Sequence, residues 1–106
     1  MIDRDRVQEL RQEIGEDDFT EVAEMFLDEM AEALTALSDA PDNAGADAFH
    51  GLRGSALNLG FADFASACAD AEKRAAQGKA VDTAHLNWLY GESVKAFRVS
   101  QPAAAA

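Results

Sequence analysis

One cysteine, two prolines and one tryptophan are all that these residue types contribute to a chain of 106 residues. A single thiol, Cys68, closes no internal disulfide and leaves a thiolate zinc cage without ligands, so a scaffold held by cross-links is excluded and the reducing cytoplasm is the expected compartment. Bases are scarce as well: nine Lys and Arg stand against 20 Asp and Glu, for a formal charge of -11. Such a surface repels a nucleic acid backbone and an anionic membrane, and neither is expected as a partner. No long apolar run is present, and the charged opening Met1 to Arg6 has no apolar segment behind it, so a membrane span and a secretory signal are not expected. Sustained alternation of β-branched residues is missing too, which leaves sheet without its usual pattern.

Five stretches of helical periodicity fill the chain instead. Asp3 to Ile14 places Val7, Leu10 and Ile14 on one stripe behind Asp3 as a cap, and Gly15 stops it. Asp17 to Leu37 repeats Phe19, Val22, Ala23, Phe26, Met30, Ala33 and Leu37 at spacings of three and four. Ser38 to Asn43, with Pro41, reads as a turn, and a third helix spans Ala44 to Leu59. Gly60 suits the left-handed position that closes this helix, with Phe61 folding back onto its last turn. The fourth helix, Asp63 to Gln77, aligns Phe64, Cys68, Ala71 and Ala75 and ends at Gly78. The fifth starts near Asp82 or Thr83 and aligns Leu86, Tyr90, Ser93 and Phe97, flanked by Leu89 and Val94. Short connections favour antiparallel neighbours, so the expected fold is all-α: an antiparallel up-down-up-down four-helix bundle with a short additional N-terminal helix. Residues 1–100 are expected to form one domain and 101–106 a frayed tail.

The third helix carries the chemistry. On a wheel turning about 100° per residue, Ala48, Leu52, Ser55, Ala56 and Leu59 fall opposite His50 and are assigned to the core. Ala46, Asp47, Arg53, Gly54 and Leu57 fall within about 60° of His50, which puts the histidine at the centre of the solvent face. A solvated imidazole with a reference pKa of about 6.5 offers a free lone pair and can act as a nucleophile. Arg53, one turn on, can attract phosphoryl oxygens. Gly54 costs a helix roughly 0.5 to 1 kcal/mol relative to alanine, which points to close approach of another molecule there. Leu57 adds an exposed apolar contact, and with Ala46 and Asp47 it outlines a partner-binding surface.

The run from His50 to Gly60, with Arg53, Gly54 and Ser55 at offsets of three, four and five, resembles the signature of histidine phosphotransfer (HPt) domains. Phe64, Cys68, Ala71 and Glu72 continue the resemblance into the next helix, where that family favours an apolar residue, a cysteine, an apolar residue and an acid. The resemblance implies a phosphocarrier of two-component phosphorelays without kinase activity of its own. His50 would be phosphorylated, Arg53 its basic neighbour and Gly54 the point of access. The basic position is commonly lysine in the family, and the planar fork of Arg53 alters the detail of its contacts. The implied partners are receiver domains of response regulators, including those of hybrid histidine kinases. Mg²⁺ is expected in the receiver, no cofactor in this chain, and the protein itself is expected to be a monomer.

Other readings are weaker. A helical adaptor that binds a receiver without accepting phosphate would not need a histidine at the centre of its face. A metal-dependent hydrolase in a bundle would need inward carboxylates in a Glu-x-x-His arrangement, which is missing, and neither His50 nor His85 has a Cys or second His at ligand spacing. Cys68 reads as a small buried hydrophobe, and Glu21, Glu24, Asp28, Glu29 and Glu32 as a solvated face. Trp88 falls nearly opposite Leu86, so the pattern leaves its burial open.

Overall fold

A computed structural model describes residues 1–39 and 45–101. Five helices follow one another: α1 (Arg4–Ile14), α2 (Glu16–Asp39), α3 (Ala46–Asn58), α4 (Ala62–Ala76) and α5 (Thr83–Ser100). No strand occurs among the described residues; the nearest approach to one is an isolated antiparallel bridge between Ile2 and Phe61. α2 packs on α3 and α5, and α4 on the same two, so the four long helices close a ring as an antiparallel bundle, with α1 against α2 and α3.

The boundaries have local causes. Asp3 caps α1 by accepting from the Arg6 N–H at 3.2 Å, and Asp82 caps α5 by accepting from the His85 N–H at 3.0 Å. α3 ends in a Schellman motif: the Phe61 N–H donates to the Ala56 carbonyl at 2.8 Å and the Gly60 N–H to the Leu57 carbonyl at 3.2 Å, with Gly60 at φ 73°. α4 ends the same way, through Lys79 to Arg74, Gly78 to Ala75 and Gly78 at φ 70°. Ser38 and Asp39, expected in a turn, instead complete the last turn of α2. The rest of that turn, with Pro41, lies outside the described residues.

Each helix buries one stripe. α2 turns Phe19, Ala23, Leu27, Met30, Leu34 and Leu37 inward, so Leu27 and Leu34 join the expected stripe, while Val22, Phe26 and Ala33 sit half-buried at its edge. Phe61 and Phe64 are fully buried beside Phe97 and Tyr90, with Phe61 and Phe97 edge to face at 5.8 Å. The Tyr90 hydroxyl donates to the Leu27 carbonyl at 2.7 Å, tying α5 to α2. Burial pushes the Cys68 thiol up to about 12, so it packs as a hydrophobe. Trp88 is 60% exposed and stacks on His85.

α1 closes the end of the bundle where α2 and α4 begin and α3 and α5 finish. Val7 and Leu10 enter the core. Arg11 lies 4.2 Å over the Phe19 ring, pairs with Glu16 at 2.9 Å and reaches the Gln101 side-chain oxygen. Gln101 also donates to the Phe97 carbonyl, so the first residue of the expected frayed tail is held; residues 102–106 lie outside the described residues.

Candidate functional site

α3 packs chiefly against α4, and this sets which way His50 points. Phe49, Leu52, Ala56 and Leu59 are buried, whereas Ala48 is exposed and Ser55 half-buried. Two of the residues assigned to the core are therefore corrected, and Phe49 is added. The physical reason is a rotation of the buried direction, by roughly 40° on a wheel of about 100° per residue, toward α4 and away from the pole opposite His50.

His50 remains outside the core, with its side chain 68% exposed. Its Nδ1 lies 3.2 Å from the Glu72 Oε1 of α4, a carboxylate that is itself only 30% exposed. A carboxylate oxygen accepts, so the shared hydrogen belongs on Nδ1 and the lone pair falls to Nε2 on the far side of the ring. Sequence spacing did not bring these two together, because they stand 22 residues apart on different helices. The signal that could have found the pair was the acid position of the family pattern, which Glu72 occupies.

The other candidates gather around the same turn. Arg53 is half-buried, and none of the ion pairs among the described residues involves it. Gly54 is exposed, and a Cβ added there would meet nothing within 4 Å; the same holds for Gly51. Leu57 is 48% exposed, Asp47 is exposed and Ala46 half-buried, so this surface is open at its centre and partly covered at one margin. His85 sits on α5, away from this cluster, and among the described residues no group of three or more His, Cys, Asp or Glu is placed to hold a metal ion.

His50 stands on the exposed face of α3. A groove of about 270 Å³ between α2 and α3 reaches Gly51, and a hollow of about 440 Å³ between α4 and α5 is lined by Arg74, Val81, His85 and Leu86; His50 lines neither. Small-molecule sites are concave, and the His50 side chain enters neither of these hollows.

Among the described residues, five helices present an exposed histidine held by a carboxylate of the neighbouring helix. The sequence matches the family model of the Hpt domain over residues 21–96, which is most of the chain and takes in α3, α4 and most of α2 and α5 but not α1. The chain belongs to the Hpt domain family, the histidine phosphotransfer modules of phosphorelays. Members are phosphocarriers, generally not enzymes, and typically meet response-regulator receiver domains. Searches of curated proteins and of solved structures return no match. No described helix is long and apolar enough to cross a membrane.

Proposed function

We propose that this protein accepts a phosphoryl group on His50 from the aspartate of one receiver domain and returns it to the aspartate of another, within the cytoplasm. The observation that carries the reading is the exposed imidazole whose Nδ1 is held by Glu72, which leaves a solvent-facing Nε2 as nucleophile.

In the forward step the Nε2 lone pair attacks phosphorus in line. The P–N bond forms while the P–O bond to the receiver's aspartate breaks, and that aspartate departs as a carboxylate. The hydrogen on Nδ1 stays on the ring, and the Glu72 carboxylate stabilises the positive charge the imidazole acquires. Glu72 also fixes the ring plane, so less orientational freedom is lost at the encounter. Arg53 draws the phosphoryl oxygens, and Gly54 keeps the adjacent turn bare for the receiver. Mg²⁺ and most of the electrostatic stabilisation come from the receiver, and this chain needs no cofactor of its own. Return of the phosphoryl group runs through the same arrangement in reverse.

Incubation with phosphorylated receiver domains should place an acid-labile phosphate on this chain. His50→Ala should abolish it while changing stability by less than about 0.5 kcal/mol, because the side chain is solvated. Glu72→Ala should slow transfer without abolishing it. Labelling of the His50→Ala protein at the normal rate would refute the assignment.

A further inference from the structure

The groove between α2 and α3 has an apolar floor and an acidic rim. Met30 and Leu52 are 1% and 3% exposed at its base, while Glu29 on α2 and Asp47 on α3 stand exposed beside it. None of the described residues lining it is basic, and none of the ion pairs among the described residues engages either carboxylate.

The groove is continuous with the His50 surface. Asp47 lies one turn before His50, and Gly51 follows His50 and lines the groove. Taking about 100° per residue, Gly54 stands about 40° and Gly51 about 100° round from His50, both toward α2. The opposite flank holds Arg53 and, across the interface, Glu72. Neither glycine has a positive φ, and a Cβ at either position would meet nothing within 4 Å. Two interior glycines, each costing the helix roughly 0.5 to 1 kcal/mol, therefore serve no turn and no packing among the described residues. They leave bare backbone on the flank that slopes from His50 into the groove.

We propose that the α2–α3 groove is a charge-selective docking site for the receiver, and that accepted receivers seat a Lys or Arg against Glu29 and Asp47 as they approach His50 across Gly51 and Gly54. The proposal rests on His50 being the phosphoacceptor. Covering the two carboxylates without a cation would leave them desolvated and unpaired, so a receiver with a neutral or acidic residue there is rejected.

The test measures phosphotransfer from a panel of purified receiver domains, preloaded with phosphate, to the wild-type chain and to Glu29→Lys/Asp47→Lys, over roughly 0.05 to 0.5 M salt. For the receivers that serve the wild type best, the double variant should raise KM about tenfold or more, with a smaller change in kcat. The fall of wild-type kcat/KM with salt should flatten or invert, while Glu29→Gln/Asp47→Asn lies between. A merely structural role would not move the salt dependence, and thermal unfolding confirms that both variants fold. A wild type that is labelled normally while the double variant keeps the same KM and salt dependence overturns the groove and leaves the reading of His50 standing. A wild type labelled by no receiver removes that reading and the groove with it. A wild-type dimer, seen by light scattering and dispersed by the double variant, would place a second copy in the groove and also overturn the proposal.

Discussion

Gly60→Ala should be among the most damaging single-methyl additions in this protein, for two separable reasons. Gly60 adopts φ 73°, a left-handed conformation that costs an L side chain about 1 to 2 kcal/mol. A Cβ there would also stand 2.6 Å from the Asp3 carbonyl oxygen and 3.2 Å from Val7 Cγ2. The first of these contacts is with backbone, so the N-terminal segment must move. That movement breaks the 2.7 Å hydrogen bond from the Asp3 N–H to the Gly60 carbonyl, a net loss of about 0.5 to 1.5 kcal/mol. It also disturbs Ile2 against Phe61 and the cap of α1 at Asp3. These two contributions sum to about 1.5 to 3.5 kcal/mol, or at least about 6 °C in Tm for a domain near this size. Gly78→Ala is the internal control: its φ of 70° is nearly the same, but a Cβ there meets nothing within 4 Å, so only the backbone cost of about 1 to 2 kcal/mol applies. Urea unfolding followed by circular dichroism gives both numbers from Cm at constant m. Equal losses for the two variants would refute the claim that the chain's opening residues are seated on Gly60.

Three further outcomes follow from the site and the core. Gly54→Ala should stabilise the protein by up to about 1 kcal/mol, because α3 gains a better helix former in open space, yet it should slow receiver-dependent transfer; a destabilised variant with normal transfer would mean that Gly54 serves internal packing. Arg53→Ala should leave Tm within about 4 °C while slowing transfer and shortening the lifetime of phosphohistidine, with Arg53→Lys recovering much of both; identical rates for all three residues would remove Arg53 from the mechanism. Cys68 should resist a thiol-exchange reagent at pH 8 until urea unfolds the chain. Its folded pKa is raised from 9.0 to about 12, so its contribution to stability is complete below pH 9 and is lost as pH rises toward 12. Rapid reaction in the native state would contradict its burial.

Much of the fold was legible in the sequence because its determinants are local. A helix stripe needs only apolar residues three and four apart, and Asp3, Asp82, Gly60 and Gly78 cap or close helices through atoms within a few residues of themselves. The exposure of His50 followed from the same periodicity. What periodicity could not supply was the direction from which neighbours arrive. A wheel centred on His50 assumes that the core lies opposite it, but α4 takes up more of α3 than α2 does, so Phe49 is buried while Ala48 is exposed. Contacts across the bundle are equally non-local: Glu72 reaches the His50 ring, Arg11 holds Gln101, and Gly60 receives the chain's opening residues only once the helices are docked. The sequence alone determined that a histidine would face outward from a helix beside an arginine and a glycine. Only the tertiary structure decided which imidazole nitrogen is held by a carboxylate and which is left free, because that depends on the packing of a second helix 22 residues further along.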